Sequence, residues 1–462
     1  MKLRFPLVLR PLAILAMIAG TASLAASTAQ QVPPQPASSG WVLTAGVPGT
    51  LAALRNRTVS ESLVHVSGRK QTGDGGEGAF VLRDGPCRND GIIEVVDAAG
   101  KCFVRVGSND RINVRWAGAR GDGRTDDTAA LLEAHNLLRQ MVAQTGTGQL
   151  IYPPGTYNIS ATLPLPDQGK GWEVRGEGFP TIVGMTDNMT LLRAVAAPGK
   201  SLRNFRISNL RLIYDRPQPP GNRYSIGIAL GCAADSVAGI MDFHIENVVF
   251  DGAWRGISVD PDMFEQAKTS CPIWGFTIDS VTSYIKMSGA TIWLATNRGG
   301  SPRGNLLNVY AQNKSAVEPA VSITNMSNLY IRNMEFNLGQ GTALYLNNRE
   351  NLIDSIRFEQ MTLADPTRPF VVLRGGLSTV NDMEVQSFQA AQRGQFSFLR
   401  ADAGSLDLHN LYTWGNLSPD STFDAIDDRS ANSLNVTGTW WRFKDNGVRF
   451  DNAKIKQVQR AP

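Results

Sequence analysis

The chain has 462 residues, of which 42% are hydrophobic, 19% charged and 8% aromatic, with 45 glycines, four histidines and four cysteines. This apolar content can bury a large core, and the glycines follow no three-residue period, so intrinsic disorder and a collagen-like helix are excluded. The few histidines and cysteines also argue against a protein built on several zinc ions or iron–sulfur clusters.

The N-terminus predicts a secretory signal peptide over residues 1–29. Three basic residues lie within the first ten positions, an apolar run covers 12–19, and small residues fill 21–29, which is the order of such a signal. Cleavage is expected after Ala25 or Ala29. The apolar run is too short to span a bilayer, although a retained N-terminal anchor is the alternative.

The net charge of +4 belongs mostly to this export signal. Without its three basic residues the chain keeps 42 Lys and Arg against 41 Asp and Glu. A charge near zero gives no support for nucleic-acid binding. We therefore expect neither a nucleic-acid partner nor, once the signal is removed, a membrane.

A Pro/Ser-rich linker over 30–40 leads to a small β-rich module over 41–112. Cys87 and Cys102 flank a strand and a turn, which predicts a disulfide across a hairpin. That pairing leaves Cys232 with Cys271, both in long connections further along the chain. An exported protein forms disulfides readily, and free buried cysteines are the alternative.

The next element is a helix over 131–142, preceded by a glycine-rich turn. Thr125 or Asp126 can cap this helix, and the adjacent carboxylates of Asp126 and Asp127 suit its positive end. Capping explains this pair of aspartates better than a catalytic dyad does. A strand over 150–159 follows the helix.

From about residue 190 to 452 the chain repeats two kinds of short strand. The first kind ends in Asn or a small polar residue and occurs at 205–209, 243–247, 276–280 and 329–333, with weaker copies at 383–387 and 406–410. The second kind alternates with it at 226–230, 256–259, 291–294, 320–323, 343–346, 370–373 and 396–399. Apolar residues lie two apart in each strand, so one face is buried and the other is exposed.

These repeats predict a parallel β-helix. The turn positions 209, 247, 280, 308 and 333 are separated by 38, 33, 28 and 25 residues, and a unit this short must stack on its neighbours to bury its apolar face. About nine coils at ~4.8 Å spacing give a rod on the order of 45 Å long, with turn asparagines in hydrogen-bonded ladders. A β-propeller, which needs four strands in each blade, is the weaker alternative.

A family resemblance lies on the same residues. Gly-Ala-x-Gly-Asp-Gly-x-Thr-Asp-Asp-Thr at 118–128, followed by a helix and by Tyr-Pro-Pro-Gly-Thr-Tyr at 152–157, resembles the start of the pectate-lyase superfamily. This resemblance implies an all-β, right-handed parallel β-helix over 113–462, with the helix capping its N-terminal end. Polygalacturonase-like hydrolases, polysaccharide lyases and phage tailspike depolymerases share that fold, so it implies a polysaccharide substrate and leaves a homotrimer open.

Carboxylates at one strand end are the candidate catalytic groups. Asp260 and Asp262 follow the strand 256–259, and Asp235 on the preceding coil or Glu265 can supply a partner. Glycoside hydrolysis needs two such carboxylates flanking the bond. Turn-capping aspartates are the alternative. The segment resembles the Asp-Pro-His-Asp site of β-helix alginate epimerases but lacks the histidine, and the polygalacturonase signatures are absent.

Lyase chemistry stays open because Arg255 and Lys286 lie nearby in the chain. Trp254, Trp293, Tyr345 and Lys286 are the candidate substrate-binding residues, the three aromatic ones because their rings stack on sugars. The alternation of Ile292 and Leu294 predicts an exposed Trp293 ring. We predict no cofactor; a calcium site among the carboxylates is left open, but no spacing indicates one.

The sequence thus predicts a secreted or periplasmic enzyme that cleaves glycosidic bonds, as a hydrolase or a lyase, in a groove along a parallel β-helix. A β-helix that binds polysaccharide or serves a structural role without catalysis is the alternative, and a C5-epimerase is a third option. The sequence does not identify the polysaccharide.

Overall fold

The structure is a computed structural model. It describes residues 49–462 except for 234–238, 260–270, 297–302, 313–317, 364, 366–367, 387–388, 391–394, 415–421, 429–433, 437–438, 441–447, 450–458 and 461–462. The predicted signal peptide and linker lie outside the described residues. So do the first eight residues of the predicted N-terminal module.

The first described elements form a small antiparallel sheet. Helix α1 (Leu51–Arg55) is followed by β1 (Leu63–Val66), β2 (Gly78–Arg83), β3 (Glu94–Val96) and β4 (Cys102–Arg105), in the sheet order β1–β2–β4–β3. This sheet has an apolar core of its own, in which Phe80 and Phe103 are fully buried. A disulfide joins Cys87 to Cys102 across the β3–β4 hairpin, with the Cα atoms 5.5 Å apart, which is the predicted pairing.

From Arg111 onward the paired strands are parallel. Strands β5 (Arg111–Asn113) and β6 (Asp122–Asp126) precede helix α2 (Thr128–Thr145). The strands after it are β7 (Gly148–Tyr152), β8 (Thr156–Ile159), β9 (Leu163–Pro164), β10 (Trp172–Gly176), β11 (Thr181–Gly184), β12 (Leu192–Ala196), β13 (Leu202–Arg203), β14 (Arg206–Tyr214), β15 (Ile226–Cys232), β16 (Ile240–Asp251), β17 (Arg255–Val259), β18 (Ile273–Ser283), β19 (Ile292–Leu294), β20 (Gly304–Gln312), β21 (Val321–Thr324), β22 (Asn328–Asn337), β23 (Leu344–Ile353), β24 (Ile356–Glu359), β25 (Thr362–Leu363), β26 (Val371–Gln386), β27 (Gln389–Ala390), β28 (Gln395–Ala401), β29 (Ser405–Trp414), β30 (Thr422–Asp428), β31 (Leu434–Val436), β32 (Thr439–Trp440), β33 (Val448–Arg449) and β34 (Gln459–Arg460). Most of them join one continuous sheet that winds into a parallel β-helix, which confirms the predicted fold.

Each coil contributes to three faces. The first face consists of β12, β15, β17, β19, β21 and the opening residues of β23 and β26. The second face consists of the early residues of β16, β18, β20 and β22, and continues into the later residues of β23 and the middle of β26. The third face is formed by the residues that come after the turn within each of these long strands.

A ladder of turn residues separates the second face from the third. Asn209, Asn247, Asn308 and Asn333 have φ between 51° and 57°, the left-handed conformation that asparagine tolerates well. Their side-chain amides bond from coil to coil: Asn247 Nδ2 donates to Asn209 Oδ1 at 2.7 Å, and Asn333 Nδ2 donates to Asn308 Oδ1 at 2.8 Å. The ladder predicted from the repeats is therefore present.

The core contains columns of stacked aromatic rings. Phe243 lies between Phe205 and Phe276 with ring centroids 5.2 and 5.6 Å apart, and Trp172 begins the column. The rings repeat because equivalent positions of successive coils lie in register, for example Phe243 opposite Phe276. The inward alternation of the sequence thus becomes one continuous apolar core.

Helix α2 begins at Thr128, so the predicted helix is present with an earlier start. Asp127, and not Thr125 or Asp126, occupies the N-cap position, and its carboxylate accepts from the backbone N–H groups of Arg120 and Gly121 at 2.6 and 3.0 Å. Burial raises the pKa of Asp127 while these two hydrogen bonds lower it, with a net upward shift. The carboxylate therefore holds the glycine-rich turn against the helix start.

A buried histidine fixes this helix on the first coils. His135 is fully buried, with Nδ1 2.9 Å from the carbonyl oxygen of Pro164 and Nε2 2.6 Å from the hydroxyl of Tyr152. Burial lowers the pKa of His135 from 6.5 to about 4. The imidazole is consequently neutral in the folded protein at neutral pH.

We expect His135 to make stability depend on pH. The unfolded chain takes up the proton near pH 6.5 and the folded chain only near pH 4, so about 3 kcal/mol of unfolding free energy, present above pH 6.5, is lost as the pH falls to 4. His135→Gln should be less stable at pH 7 but should have a shallower slope between these values. Urea unfolding at several pH values measures both, and equal slopes in the two proteins would contradict the assignment.

Candidate functional site

Three consecutive strands of the first face, β15, β17 and β19, are each followed by a longer stretch of chain before the next strand than β21 is. The chain leaves this face at 233–239, at 260–272 and at 295–303, whereas the next crossing, at 325–327, is short. The disulfide between Cys232 and Cys271, with Cα atoms 5.4 Å apart, joins the end of β15 to the start of β18. It thereby ties together the ends of the first two long connections, although Cys232 is the last residue of a strand and not part of a loop.

One outward column of side chains crosses this region. Ala229, Ser258, Trp293, Ser322 and Tyr345 lie in register on successive coils. Neighbouring members are separated by about 4.8 Å, the spacing of paired strands. The column follows the long axis of the β-helix; Trp293 and Tyr345 are half-buried, whereas Ala229, Ser258 and Ser322 are buried.

The centre of the first face is an ion pair between Arg255 and Glu318. The Arg255 Nη2 donates to Oε1 of Glu318 at 2.7 Å and Nε donates to Oε2 at 3.1 Å. The two side chains are only 4% and 14% exposed. This two-pronged geometry is the strong form of a guanidinium–carboxylate contact.

Two tryptophans support the same guanidinium. The Cζ atom of Arg255 lies 3.9 Å from the ring centroid of Trp254 and 4.0 Å from that of Trp293, within the range of cation–π attraction. Gly256 beside Arg255 allows the next coil to approach closely, because a Cβ atom there would lie 2.5 Å from the carbonyl oxygen of Thr291. We call Arg255, Glu318, Trp254 and Trp293 the arginine cluster.

The burial of this cluster revises the predicted roles of its members. Trp254 is only 6% exposed and Trp293 is half-buried, so the expected exposed ring of Trp293 is not found. Both rings pack against the guanidinium of Arg255, and neither offers an open surface to a sugar. Arg255 itself is 3% exposed, which suits a residue that positions others better than one that touches substrate.

Tyr345 belongs to a second, more exposed group on the same face. Arg374 Nη1 donates to the hydroxyl of Tyr345 at 3.2 Å, and its Nε donates to Asp402 Oδ2 at 2.6 Å. Arg400 Nε lies 3.0 Å from the other oxygen of Asp402. The hydrogen bond with Asp402 raises the pKa of Arg374, whose side chain is 46% exposed, so this group presents a fixed positive charge beside an aromatic ring.

The remaining predicted residues have different positions. Lys286 is 60% exposed, and its Nζ lies 3.8 Å from Asp251 Oδ2, so its ion pair is with Asp251 and not with the arginine cluster. Asp235, Asp260 and Asp262 lie outside the described residues. The chain position of the two later aspartates is nevertheless informative, because Asp260 follows directly after the last residue of β17.

Glu318, Arg374 and Asp402 were missed by the sequence reasoning. Glu318 lies shortly before β21 and Asp402 directly after β28, in connections that alternation does not address, whereas Arg374 lies within β26, just beyond the apolar residues that open it. Charged residues at the ends of successive copies of the second strand kind were the available signal. Arg255 has the same kind of position at the start of β17.

Among the described residues, one set of three side chains lies within reach of a shared metal ion: Cys87, Glu94 and Cys102. Its two sulfur atoms are joined in a disulfide and so are not thiolate ligands. Among the described residues there is also no helix long and apolar enough to cross a membrane.

A family model matches more than half of the chain. The model described as rhamnogalacturonase A/epimerase, pectate lyase-like covers residues 111–369, which include helix α2, the arginine cluster and Tyr345. No curated protein matches the chain in sequence.

The chain is similar in fold to several phage tailspike proteins. The tailspike protein of Acinetobacter phage vB_ApiP_P1 has a TM-score of 0.57 at 12% identity over 89% of this chain and 72% of that one. The Acinetobacter baumannii phage AM24 tailspike has 0.54 at 11% over 89% and 67%. Tailspike protein 2 of Escherichia coli O157:H7 bacteriophage CAB120 has 0.48 at 12%, and the alignment covers 86% of this chain but only 51% of that protein. At these identities the likeness is one of fold alone.

Proposed function

Because the chain belongs to the rhamnogalacturonase A/epimerase, pectate lyase-like family, we propose that it cleaves glycosidic bonds of a polysaccharide lying along the first face. One observation carries the proposal: a buried, two-pronged ion pair between two tryptophans adjoins the strand that leads into Asp260 and Asp262. Burying a charged pair is costly. A cluster of this kind on an outward face, beside long connections, is typical of a binding or catalytic site.

In this proposal Asp260 and Asp262 act on the scissile bond, with Asp235 as a partner from the preceding coil. Cleavage by hydrolysis needs one carboxyl group to protonate the leaving oxygen and a second to attack or to activate water. Arg255 Nη1 lies 3.3 Å from Ser258 Oγ, two residues before Asp260. Arg255 is therefore assigned a positioning role: with Glu318, it fixes the strand that precedes Asp260 and Asp262 in the sequence.

Tyr345 and Arg374 are assigned to substrate binding. Tyr345 lies two coils from Trp293, about 10 Å along the column, and Arg374 lies one coil further; both are more accessible than Trp254. An aromatic ring offers a stacking surface for a sugar, and a guanidinium held by Asp402 can donate to hydroxyl or carboxylate oxygens. Lys286 stays a proposed binding residue only on its nearness in sequence.

The proposed place of action is outside the cytoplasmic membrane. All four cysteines are paired in disulfides, as is common in proteins of oxidising compartments. The predicted signal peptide agrees with this placement.

Product chemistry tests the proposed function. Purified protein incubated with polygalacturonate, rhamnogalacturonan, alginate and xylan should release reducing ends from at least one of them. A simultaneous rise in ultraviolet absorbance identifies a lyase, and its absence identifies a hydrolase. Binding without new ends would instead favour a non-catalytic protein, and altered uronate stereochemistry without new ends would favour an epimerase.

A further inference from the structure

A groove of about 460 Å³ crosses the second face, around the corner from the candidate active site. Its floor is formed by two outward columns that lie side by side: Asn305, Tyr330, Leu352 and Thr379 in one, and Asn328, Glu350 and Leu377 in the other. This volume is within the range of sites that hold small-molecule ligands.

The groove is open because the strands beneath it continue from the first face to the second without an intervening loop. Strand β23 runs from Leu344 to Ile353, and β26 from Val371 to Gln386, without the loops that leave the first face on earlier coils. The sequence predicted separate strands here. A buried amide ladder holds the corner: Asn348 Nδ2 donates to Asn351 Oδ1, and Asn351 Nδ2 donates to Ser378 Oγ, both at 3.0 Å.

The floor exposes large apolar side chains. Leu352 is 42% and Leu377 44% exposed to solvent, although the core of this β-helix is large enough to bury leucine side chains. Beside them the Tyr330 ring is held by its hydroxyl, which lies 3.2 Å from Asp354 Oδ2, while Asn381 Nδ2 donates to the other oxygen of Asp354 at 2.9 Å. The ring is therefore fixed before any ligand arrives, which lowers the entropy cost of binding.

Polar groups interrupt the apolar surface at every step. Asn305 and Thr379 end one column, and Glu350 stands between Asn328 and Leu377 in the other. A stable protein–protein interface buries roughly 800 Å² on each side around an apolar core, whereas the apolar side chains here are separated by polar ones. A pyranose ring instead combines a C–H face with hydroxyl edges, and narrow apolar patches rimmed by amide and carboxylate groups match that chemistry.

We propose that this groove binds a segment of polysaccharide without cleaving it. Tyr330, Leu352 and Leu377 would contact the apolar faces of sugar rings, and Asn328 and Glu350 would accept or donate at their hydroxyls. Tyr345 and Leu352 belong to the same strand and are seven residues apart, which is about 23 Å measured along the strand. One long chain can therefore occupy the groove and the first face together, and the second contact raises its effective concentration at the first.

Variants of exposed groove residues test the proposal. Leu377→Glu and Tyr330→Ala should each weaken binding about tenfold, measured as retardation in native gels containing polygalacturonate, rhamnogalacturonan, alginate or xylan. Leu63→Glu and Tyr224→Ala are matched controls, since these residues are 42% and 43% exposed elsewhere. If the protein cleaves a polymer, KM for the long polymer should rise while kcat is unchanged.

The outcomes separate this proposal from the proposed function. Cleavage with unaltered binding in both groove variants overturns the groove and leaves the activity standing. Weaker binding in these variants of a protein that cleaves nothing supports the groove and contradicts the activity. Failure of the wild type to bind any of the four polymers overturns the groove, as does self-association that Leu377→Glu abolishes without changing polysaccharide binding.

Discussion

Asp260→Asn is expected to lower turnover of the cleaved polysaccharide at least about 100-fold, the scale of losing one general acid or base. The amide keeps the size of the carboxylate but can neither carry a proton nor attack the sugar. Initial rates of reducing-end release at saturating polymer measure the effect. Asp262→Asn and Asp235→Asn, assayed in parallel, identify the second carboxylate.

The control for this result is an exposed aspartate that lies far from Asp260 in the sequence. Asp84→Asn in the N-terminal sheet should keep wild-type turnover, because Asp84 is exposed and follows β2. Equal thermal unfolding of all variants would show that the loss is chemical and not a loss of folded protein. Wild-type rates in Asp260→Asn would remove this residue from the site and leave turn capping as its role.

Arg255→Met is expected to cost about 3–5 kcal/mol of unfolding free energy, because it leaves the buried Glu318 carboxylate without its partner. The variant also loses the contact of the guanidinium with Trp254 and Trp293. Turnover should fall as well, since the strand leading to Asp260 loses its support. Urea unfolding gives the change in midpoint, and residual rates below the melting range report the effect on the site.

A surface pair provides the matched control. Arg206 Nη1 lies 2.9 Å from Glu246 Oε1, but its side chain is 47% exposed, so Arg206→Met should cost about 1 kcal/mol or less. The double variant Arg255→Met with Glu318→Gln should recover part of the loss, because no unpaired charge remains. Equal costs for the two arginine variants would contradict a special role for the arginine cluster.

The candidate site was predicted only in part. Trp293 and Tyr345 lie on the outward face as the alternation within their strands predicts, whereas Arg255 and Trp254 reach this face from the start of β17, where alternation does not place them. Their accessibility was not predictable, since it depends on what packs over the face. Trp293 illustrates this: its neighbours in sequence point inward, yet Arg255 covers its ring.

The partners of these residues were beyond sequence reasoning. Glu318 lies 63 positions after Arg255, and the intervening coils carry connections of different lengths. Once those lengths vary, the repeat no longer tells which residue of a later coil stands beside a given side chain. The open groove at Leu352 and Leu377 was missed for the same reason, because the strands there run through a corner where the repeat predicts a turn.

By itself, the sequence determined the fold and its internal order. Apolar residues two apart, recurring with asparagine turns, can be buried only by stacking coil on coil, and Asn247 and Asn333 bond their predecessors as that stacking requires. Only the tertiary structure decided which side chains meet on the outside of the rod. Inward positions are dictated locally by the hydrophobic effect, whereas outward contacts depend on distant loops and on the register between coils.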